Sequence, residues 1–402
     1  MAAYTLQSVA LKSQVINFQA LPPLSLYIHI PWCLRKCPYC DFNSHEVRGT
    51  VPEQQYVAAL IRDLELALPL IWGRKVYTVF IGGGTPSLFS GESLDQIIRS
   101  VRMLLPLDIN AEITLEANPG TVEAERFAGY REAGVNRLSM GVQSFNDAHL
   151  QALGRIHSAD EAKRAIGIAQ QYFDNINLDL MYALPKNALG QTLDEALQDI
   201  KTALSFAPQH LSCYHLTLEP NTLFHRNPPT LPDDDLSYEM QQRIEEILAV
   251  QGYQHYETSA FALPKRHSRH NLNYWKFGDY LGIGAGAHSK LSFPDRVIRQ
   301  VRYKQPQAYL QQVGKDSPIQ TESLVSLDEL GFEFMLNALR LNEGFDSVLF
   351  SERTSLSLLS IQRELAEAER RGLMHRDHLR IAPTKLGQRF LNDLLEIFLR
   401  QD

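Results

Sequence analysis

Up to about residue 218 the chain repeats one alternation, a short β-branched or aromatic run followed by a longer segment of helical period. This commits it to a parallel sheet built from βα units. Six such runs stand out: Leu26 to Ile30, Tyr77 to Ile81, Glu112 to Glu116, Arg137 to Val142, Ile176 to Met181 and Leu211 to Leu218. Helical segments such as Glu53 to Leu68 and Ser158 to Tyr172 separate them. Six units curve into an open barrel, so the expected fold class is α/β, an incomplete (βα)6 TIM-like barrel. Functional residues in such folds collect where strands run into loops at the carboxyl edge. The cysteines, Gly82 to Pro86, Glu116, Gln143 and Asp179 all fall at those ends.

Pro228, Pro229 and Pro232 interrupt the alternation, and Asp233 to Asp235 then cap a helix running to about Val250. Tyr253 to Phe261 reads as a strand. A basic loop, Lys265 to His270, and a glycine-rich stretch, Gly278 to Gly286, follow it and are expected to cover the open side of the barrel. From about Ser326 the pattern becomes helix, helix, a hairpin around Leu373 to Ile381, and a last helix from Thr384 to Arg400, which predicts a winged-helix-like α+β domain. The division expected is an N-terminal extension over 1–20, the barrel over 21–232, a covering segment over 233–325 and the C-terminal domain over 326–402. A chain of 402 residues that is 44% hydrophobic has the apolar content for two or three such cores.

Charge narrows the partners. The net charge of −7 argues against a nucleic-acid coat or a polybasic membrane anchor. The winged-helix-like tail carries ten Lys and Arg against thirteen Asp and Glu, opposite to the basic footprint of a DNA reader, so no nucleic-acid partner is expected. Phe390, Leu391, Leu394, Leu395 and Phe398 form an apolar stripe on the last helix. Packing on the tail domain is its favoured reading, and docking to a partner or a peripheral membrane contact is the alternative. No apolar run approaches the ~18 residues that cross a bilayer, and the first twenty residues lack a secretory or transit pattern, so a cytoplasmic location is expected.

Of only 4 cysteines in the chain, Cys33, Cys37 and Cys40 fall within eight residues, directly after the first strand. A disulfide framework spreads its cysteines, whereas a tight cluster in a cytosolic chain points to metal or redox chemistry. A structural zinc would need a fourth ligand, with His29 or His45 filling in. An iron-sulfur cube with one open iron fits three thiolates better. Cys213, inside the sixth run, reads as an ordinary buried small residue.

The stretch from Tyr27 through Ile-His-Ile-Pro-Trp-Cys33-Leu-Arg-Lys-Cys37-Pro-Tyr-Cys40-Asp-Phe42 to His45 resembles the radical S-adenosylmethionine superfamily. More narrowly it is similar to the HemW-type heme chaperones, relatives of the oxygen-independent coproporphyrinogen III oxidases, and the resemblance runs from about Leu21 to the C-terminus. It implies a 4Fe-4S cluster on Cys33, Cys37 and Cys40, with its free iron chelated by the amino and carboxylate groups of S-adenosylmethionine. Electron transfer from the reduced cluster would then cleave the sulfonium to a deoxyadenosyl radical. Gly82-Gly83-Gly84-Thr85-Pro86 matches the segment facing the methionyl amino group, where glycines let the backbone approach a ligand. Glu116, Gln143, Arg155 and Asp179 match positions that contact the cofactor's ribose or carboxylate, and Tyr27 and Tyr39 flank the cluster. The oxidases carry a further cysteine where this chain has Phe42, and they begin with a longer N-terminal segment. Both departures count against oxidase activity. The plain packing role for Phe42 is beneath the cluster.

His270-Asn271-Leu272-Asn273-Tyr274-Trp275 resembles the HNxxYW motif of the heme-chaperone branch, which implies His270 as an axial heme ligand. Tyr274 and Trp275 would lie against the porphyrin, and Lys265, Arg266 and Arg269 would meet its propionates. The first reading of function is therefore a heme chaperone that delivers heme to respiratory hemoproteins, with a homodimer left open and no catalytic residue assigned. The second is an oxygen-independent coproporphyrinogen III oxidase. Radical modification of RNA or protein is a third, supported only by the superfamily chemistry.

Overall fold

A computed structural model describes residues 15–120, 126–186, 190–315 and 317–399. Residues 1–14 of the expected N-terminal extension and Arg400, the expected end of the last helix, lie outside the described residues. The six expected strands form in order as β1 (Leu24–Ile30), β2 (Val76–Gly83), β3 (Leu107–Ala117), β4 (Arg137–Gln143), β5 (Ile176–Tyr182) and β6 (His210–His215). Each pairs in parallel with the next. Helices α1 (Glu53–Ala67), α2 (Gly91–Leu104), α3 (Phe127–Ala133), α4 (Ala159–Ala169) and α5 (Leu193–Ser205) supply the connections. The sequence starts three of these helices with side-chain caps: Ser90 for α2, and capping boxes Ser158/Glu161 for α4 and Thr192/Glu195 for α5. β1 is buried at six of seven positions on both faces, as a strand covered by helices on one side and by the barrel interior on the other must be.

The sheet is larger than six strands. α6 (Asp234–Val250) starts at its Asp233 cap and leads into β7 (Gln254–Glu257) and β8 (Ala260–Ala262), so the single strand expected over Tyr253 to Phe261 is a tight hairpin. β8 lies antiparallel on β6, and β7, paired on its outer side, is the edge strand there. Beyond β1, β9 (Asp279–Ile283) joins as a seventh parallel strand, pairing Leu281 with Leu26. β10 (His288–Phe293), β11 (Arg296–Arg302) and β12 (Ile319–Leu324) continue outward from it, giving twelve strands in the order β12-β11-β10-β9-β1-β2-β3-β4-β5-β6-β8-β7. The two ends do not pair, so the barrel stays open.

The expected basic loop also differs. Ser268 accepts from Asn271 N and caps a short helix, α7 (Arg269–Trp275). The Glu112 carboxylate accepts from the backbone N–H groups of Arg269 and His270, which places a negative charge at the helix N-terminus. His270 is thereby drawn inside the protein.

By compactness the described residues form two units, one drawn from 23–291 and 299–323, the other from 15–22, 292–298 and 324–399. The second unit carries α8 (Leu327–Ala338), α9 (Ser347–Thr354) and α10 (Gln362–Arg370). Its three-stranded antiparallel sheet is formed by Phe345–Asp346, Arg380–Pro383 and Met374–Arg376, an arrangement like a winged helix. The last helix breaks at Phe390 into Lys385–Arg389 and Leu391–Glu396, because Phe390 leaves helical geometry. Leu394 and Phe398 of the apolar stripe are buried. No helix among the described residues is long and apolar enough to cross a membrane.

Candidate functional site

The loop after β1 closes on itself. Trp32 and Cys33 pair in parallel with His45 and Glu46, and Val47 N donates to Cys33 O at 2.9 Å. That closure holds Cys33, Cys37 and Cys40 near one another at the carboxyl edge, all partly exposed. Burial pushes the Cys33 thiol up, and the charges of Cys40 and Cys37 add to the effect, while hydrogen bonds from Thr85 and Ser44 oppose it. Cys40 rises for the same first reason, and its Sγ stands 3.9 Å from Ser44 Oγ. Arg155 Nη1 lies 3.6 Å from Cys37 Sγ. Hydrogen-bond donors and a guanidinium around these sulfurs suit their thiolate form, in which they would ligate a metal centre that replaces their protons. Cys213 is buried within β6 away from this loop.

The loop is anchored on several sides. Lys36 Nζ donates to the carbonyls of Phe42 and Ser44 at 3.2 Å each. Asn43 Nδ2 donates to Ala285 O at 3.0 Å and Lys304 O at 2.9 Å. Phe224 N donates to Pro38 O at 3.0 Å. His29 is fully engaged, Nδ1 with the Tyr27 hydroxyl at 2.9 Å and Nε2 with Asn43 O at 2.9 Å, so it has no nitrogen left for a zinc. Phe42 points outward with 58% of its surface exposed, so it does not pack beneath the cysteines as its plain reading expected.

The glycine run at the end of β2 meets protein atoms closely. A Cβ on Gly83, whose φ is +117°, would stand 2.5 Å from the His29 ring, and one on Gly84 would stand 2.5 Å from the Trp32 carbonyl oxygen. The N–H groups are committed too: Gly83 to Glu116 Oε2 at 2.9 Å, Gly84 to Ile30 O and Thr85 to Trp32 O at 2.7 Å each. A methionyl ammonium would therefore have to meet carbonyl oxygens here. The glycines are required first by the approach of the cysteine loop, a reason the sequence does not display.

The remaining expected residues ring the same edge. Glu116 is held by Gly83 N, and Asp179 accepts from Ser139 Oγ at 3.0 Å and Asn177 Nδ2 at 2.8 Å. Gln143 ends β4 in the left-handed region at φ 67°, beside a register shift against β5, which is the kind of local strain that gathers at functional sites. Arg155 Nη2 donates to Gly141 O at 2.8 Å and Asn118 Oδ1 at 2.7 Å, and Asn118 Nδ2 donates to Thr85 Oγ1 at 3.1 Å. Thr85, Asn118, Arg155 and Cys37 thus form one connected chain. Asn118 was not among the expected residues; its only signal is its place two residues past Glu116, before Pro119 and Gly120. Tyr27 stacks on Phe80, and Tyr39 packs against Leu153, Met181 and Phe224.

Burial pushes the Glu116 carboxyl up to about 7, with the Asp179 charge adding and the Gly83 N–H and Arg137 opposing. Between its usual 4.5 and about 7 the folded chain keeps this proton while the unfolded chain releases it. The contribution to stability is thus present below 4.5 and lost as the pH rises toward 7. In urea titrations of the ligand-free protein, Glu116→Gln is expected to flatten the fall in stability over that interval. An unchanged slope would show that Glu116 titrates normally.

His270 contrasts with these residues. It is 1% exposed, Nδ1 bonds Thr78 Oγ1 at 2.8 Å and Nε2 bonds the Tyr274 hydroxyl at 3.0 Å. Burial, with the Arg137 charge, lowers its pKa to about 3. Iron would reach neither nitrogen without displacing Thr78 or Tyr274. Tyr274 is likewise turned inward, T-shaped on both His270 and Tyr280. Arg269 Nη1 donates to Asn110 O. In the ligand-free chain α7 holds these groups in a hydrogen-bonded closure of the barrel, so the expected roles of His270, Tyr274 and Arg269 toward a heme would require them to leave their present partners.

Comparison with known proteins places this geometry. Residues 27–200 match the radical SAM superfamily and residues 325–390 the HemN C-terminal domain. The chain is 49% identical to the heme chaperone HemW of Escherichia coli (strain K12) over 385 residues, covering 95% of this chain and 99% of that one. It is 47% identical to the heme chaperone HemW of Haemophilus influenzae, again over 95% and 99%. The solved structure of coproporphyrinogen III oxidase (HemN) from Escherichia coli superposes with a TM-score of 0.79 over 94% of this chain and 90% of that one; at 24% identity this shows the shared fold.

Proposed function

The chain belongs to the HemW heme chaperone family of the radical SAM superfamily, and on that premise we propose that it binds heme and passes it to hemoproteins, respiratory enzymes among them. In this reading Cys33, Cys37 and Cys40 hold a 4Fe-4S cluster and the carboxyl edge of the sheet holds S-adenosylmethionine. The observation that carries it is the connected edge itself: three neighbouring thiols, with Arg155 touching Cys37 and reaching Thr85 through Asn118. When bound, the reduced cluster supplies an electron to the sulfonium. The chain's own residues orient the cofactor. Glu116 and Asp179 offer carboxylate oxygens to ribose hydroxyls, Gln143 and Arg155 offer donors to the cofactor's carboxylate, and Tyr27 and Tyr39 wall the cluster.

The oxidase reading shares this edge, but in place of the oxidases' additional cysteine stands Phe42, exposed and without a thiol. The proposal is tested by loading the reconstituted protein with heme and mixing it with a heme-depleted respiratory enzyme. Recovery of the acceptor's activity with matching loss of heme from this chain is expected. Heme that stays on the chain while the acceptor remains inactive would overturn delivery.

A further inference from the structure

The interior of a βα barrel is ordinarily filled with branched apolar side chains, and a polar group buried there costs stability unless it is hydrogen-bonded. One row across this interior is polar instead. The pairing of β4 with β5 and of β5 with β6 sets Ser139, Asn177 and His210 side by side, all buried. The row lies one layer nearer the amino edge than Asp179, which follows Asn177 on the same face of β5.

Its hydrogen bonds run in one direction. The Asp179 carboxylate only accepts, so Asn177 turns its Nδ2 to Asp179 Oδ1 and to Ser139 Oγ, at 2.8 Å each, and Ser139 Oγ donates to Asp179 Oδ2 at 3.0 Å. Asn177 Oδ1 is left facing His210 Nδ1 at 2.6 Å, so that nitrogen carries the proton, and Ser212 Oγ donates to the same oxygen at 3.1 Å. Burial, then the charges of Arg137 and His267, hold the His210 ring well below its usual range and so neutral, which leaves Nε2 bare. The Tyr256 hydroxyl fills it at 2.8 Å and itself accepts from Ser268 N at 3.3 Å. In the reverse arrangement, with Asp179 protonated and Asn177 turned round, the Tyr256 proton would have no acceptor among the described residues.

We infer that His210 is a positioning residue for the cofactor site: through Asn177 and Ser139 it holds the Asp179 carboxylate with a donor on each oxygen, set to accept the cofactor's ribose hydroxyls. This rests on reading the carboxyl edge as an S-adenosylmethionine site. His210 itself stands a strand away from Asp179 and acts only through the amide it orients. Without that amide the carboxylate would lose its first donor in a place where burial already favours the protonated form, which the hydrogen bonds, that of Asn177 first, and the Arg137 charge oppose. A protonated Asp179 would present a donor where an acceptor is wanted. A row of polar side chains fixed in this way preorganises the site before the cofactor arrives.

The test is a calorimetric titration of S-adenosylmethionine into the full-length protein, anaerobically cluster-reconstituted, with iron content and thermal melting recorded for every variant. His210→Leu is expected to weaken binding about five- to tenfold. His210→Asn, whose amide nitrogen takes the place of Nδ1, is expected to stay within about twofold of wild type. The double variant His210→Leu/Asp179→Ala is expected to bind no more weakly than Asp179→Ala, because the effect passes through that carboxylate. Tyr256→Phe removes only the hydroxyl that sets the His210 tautomer; it is expected to weaken binding about two- to threefold and carries the test if His210→Leu does not fold. Wild-type affinity in the variant that carries the test would overturn the positioning role. So would equal losses in His210→Leu and His210→Asn, or a His210→Leu loss that adds in full to that of Asp179→Ala, since filling the core is then all that His210 does. A wild type that binds no S-adenosylmethionine, or an Asp179→Ala variant of unchanged affinity, would instead overturn the reading of the carboxyl edge on which the role rests.

Discussion

Cys37→Ala is expected to strip the reconstituted protein of its cluster, leaving iron and acid-labile sulfide at about a tenth of wild type or less, because two thiolates under-ligate a cube. Cys37 also carries the contact to Arg155, so its loss breaks the chain that runs through Asn118 to Thr85. Cys33→Ala and Cys40→Ala are expected to behave alike. Cys213→Ala, buried in β6, is the internal control and keeps full iron. A normal iron and sulfide content in Cys37→Ala would remove the cluster from this account.

The second large effect concerns the cofactor. Asp179→Ala and Glu116→Ala are each expected to weaken S-adenosylmethionine binding by ~1.5 to 3 kcal/mol, roughly ten- to hundredfold, the worth of a charge-assisted hydrogen bond. The two carboxyl groups are also linked, since the Asp179 charge adds to the upward shift at Glu116. Removing Asp179 therefore leaves Glu116 more readily ionised and a better acceptor, so the loss in Asp179→Ala is partly offset and the double variant loses more than the sum of the singles. Calorimetry of the three variants with the cofactor checks both statements, and unchanged affinity in both single variants would clear these residues of the role.

The six strands and their carboxyl edge were legible in the sequence because parallel strands buried on both faces read as continuous β-branched runs, and β1 with its LSLYIHI sequence is such a run. β9 was not legible. Asp279–Ile283 lies in a glycine-rich stretch, and only its pairing with β1, some 250 residues earlier in sequence, makes it a strand. The same holds for α7. Seven residues that follow Lys265 and Arg266 and open on Arg269 look like the end of a solvated basic loop, and what orders them is the Glu112 carboxylate, 157 residues before Arg269. His270 was therefore read as accessible when long-range contacts bury it. Asn118 escaped notice for a related reason: an asparagine before Pro-Gly reads as a turn until Thr85 and Arg155 are seen on either side of it.

Whether this fold serves as a heme chaperone or as a porphyrinogen oxidase is decided most directly by one side-by-side measurement. The anaerobically reconstituted protein, with S-adenosylmethionine and a low-potential reductant, is incubated with coproporphyrinogen III in one vessel and with heme in another, then desalted and analysed for product and retained heme. The account predicts stoichiometric heme that survives desalting and no decarboxylated porphyrinogen. Conversion of coproporphyrinogen III without heme retention would contradict it.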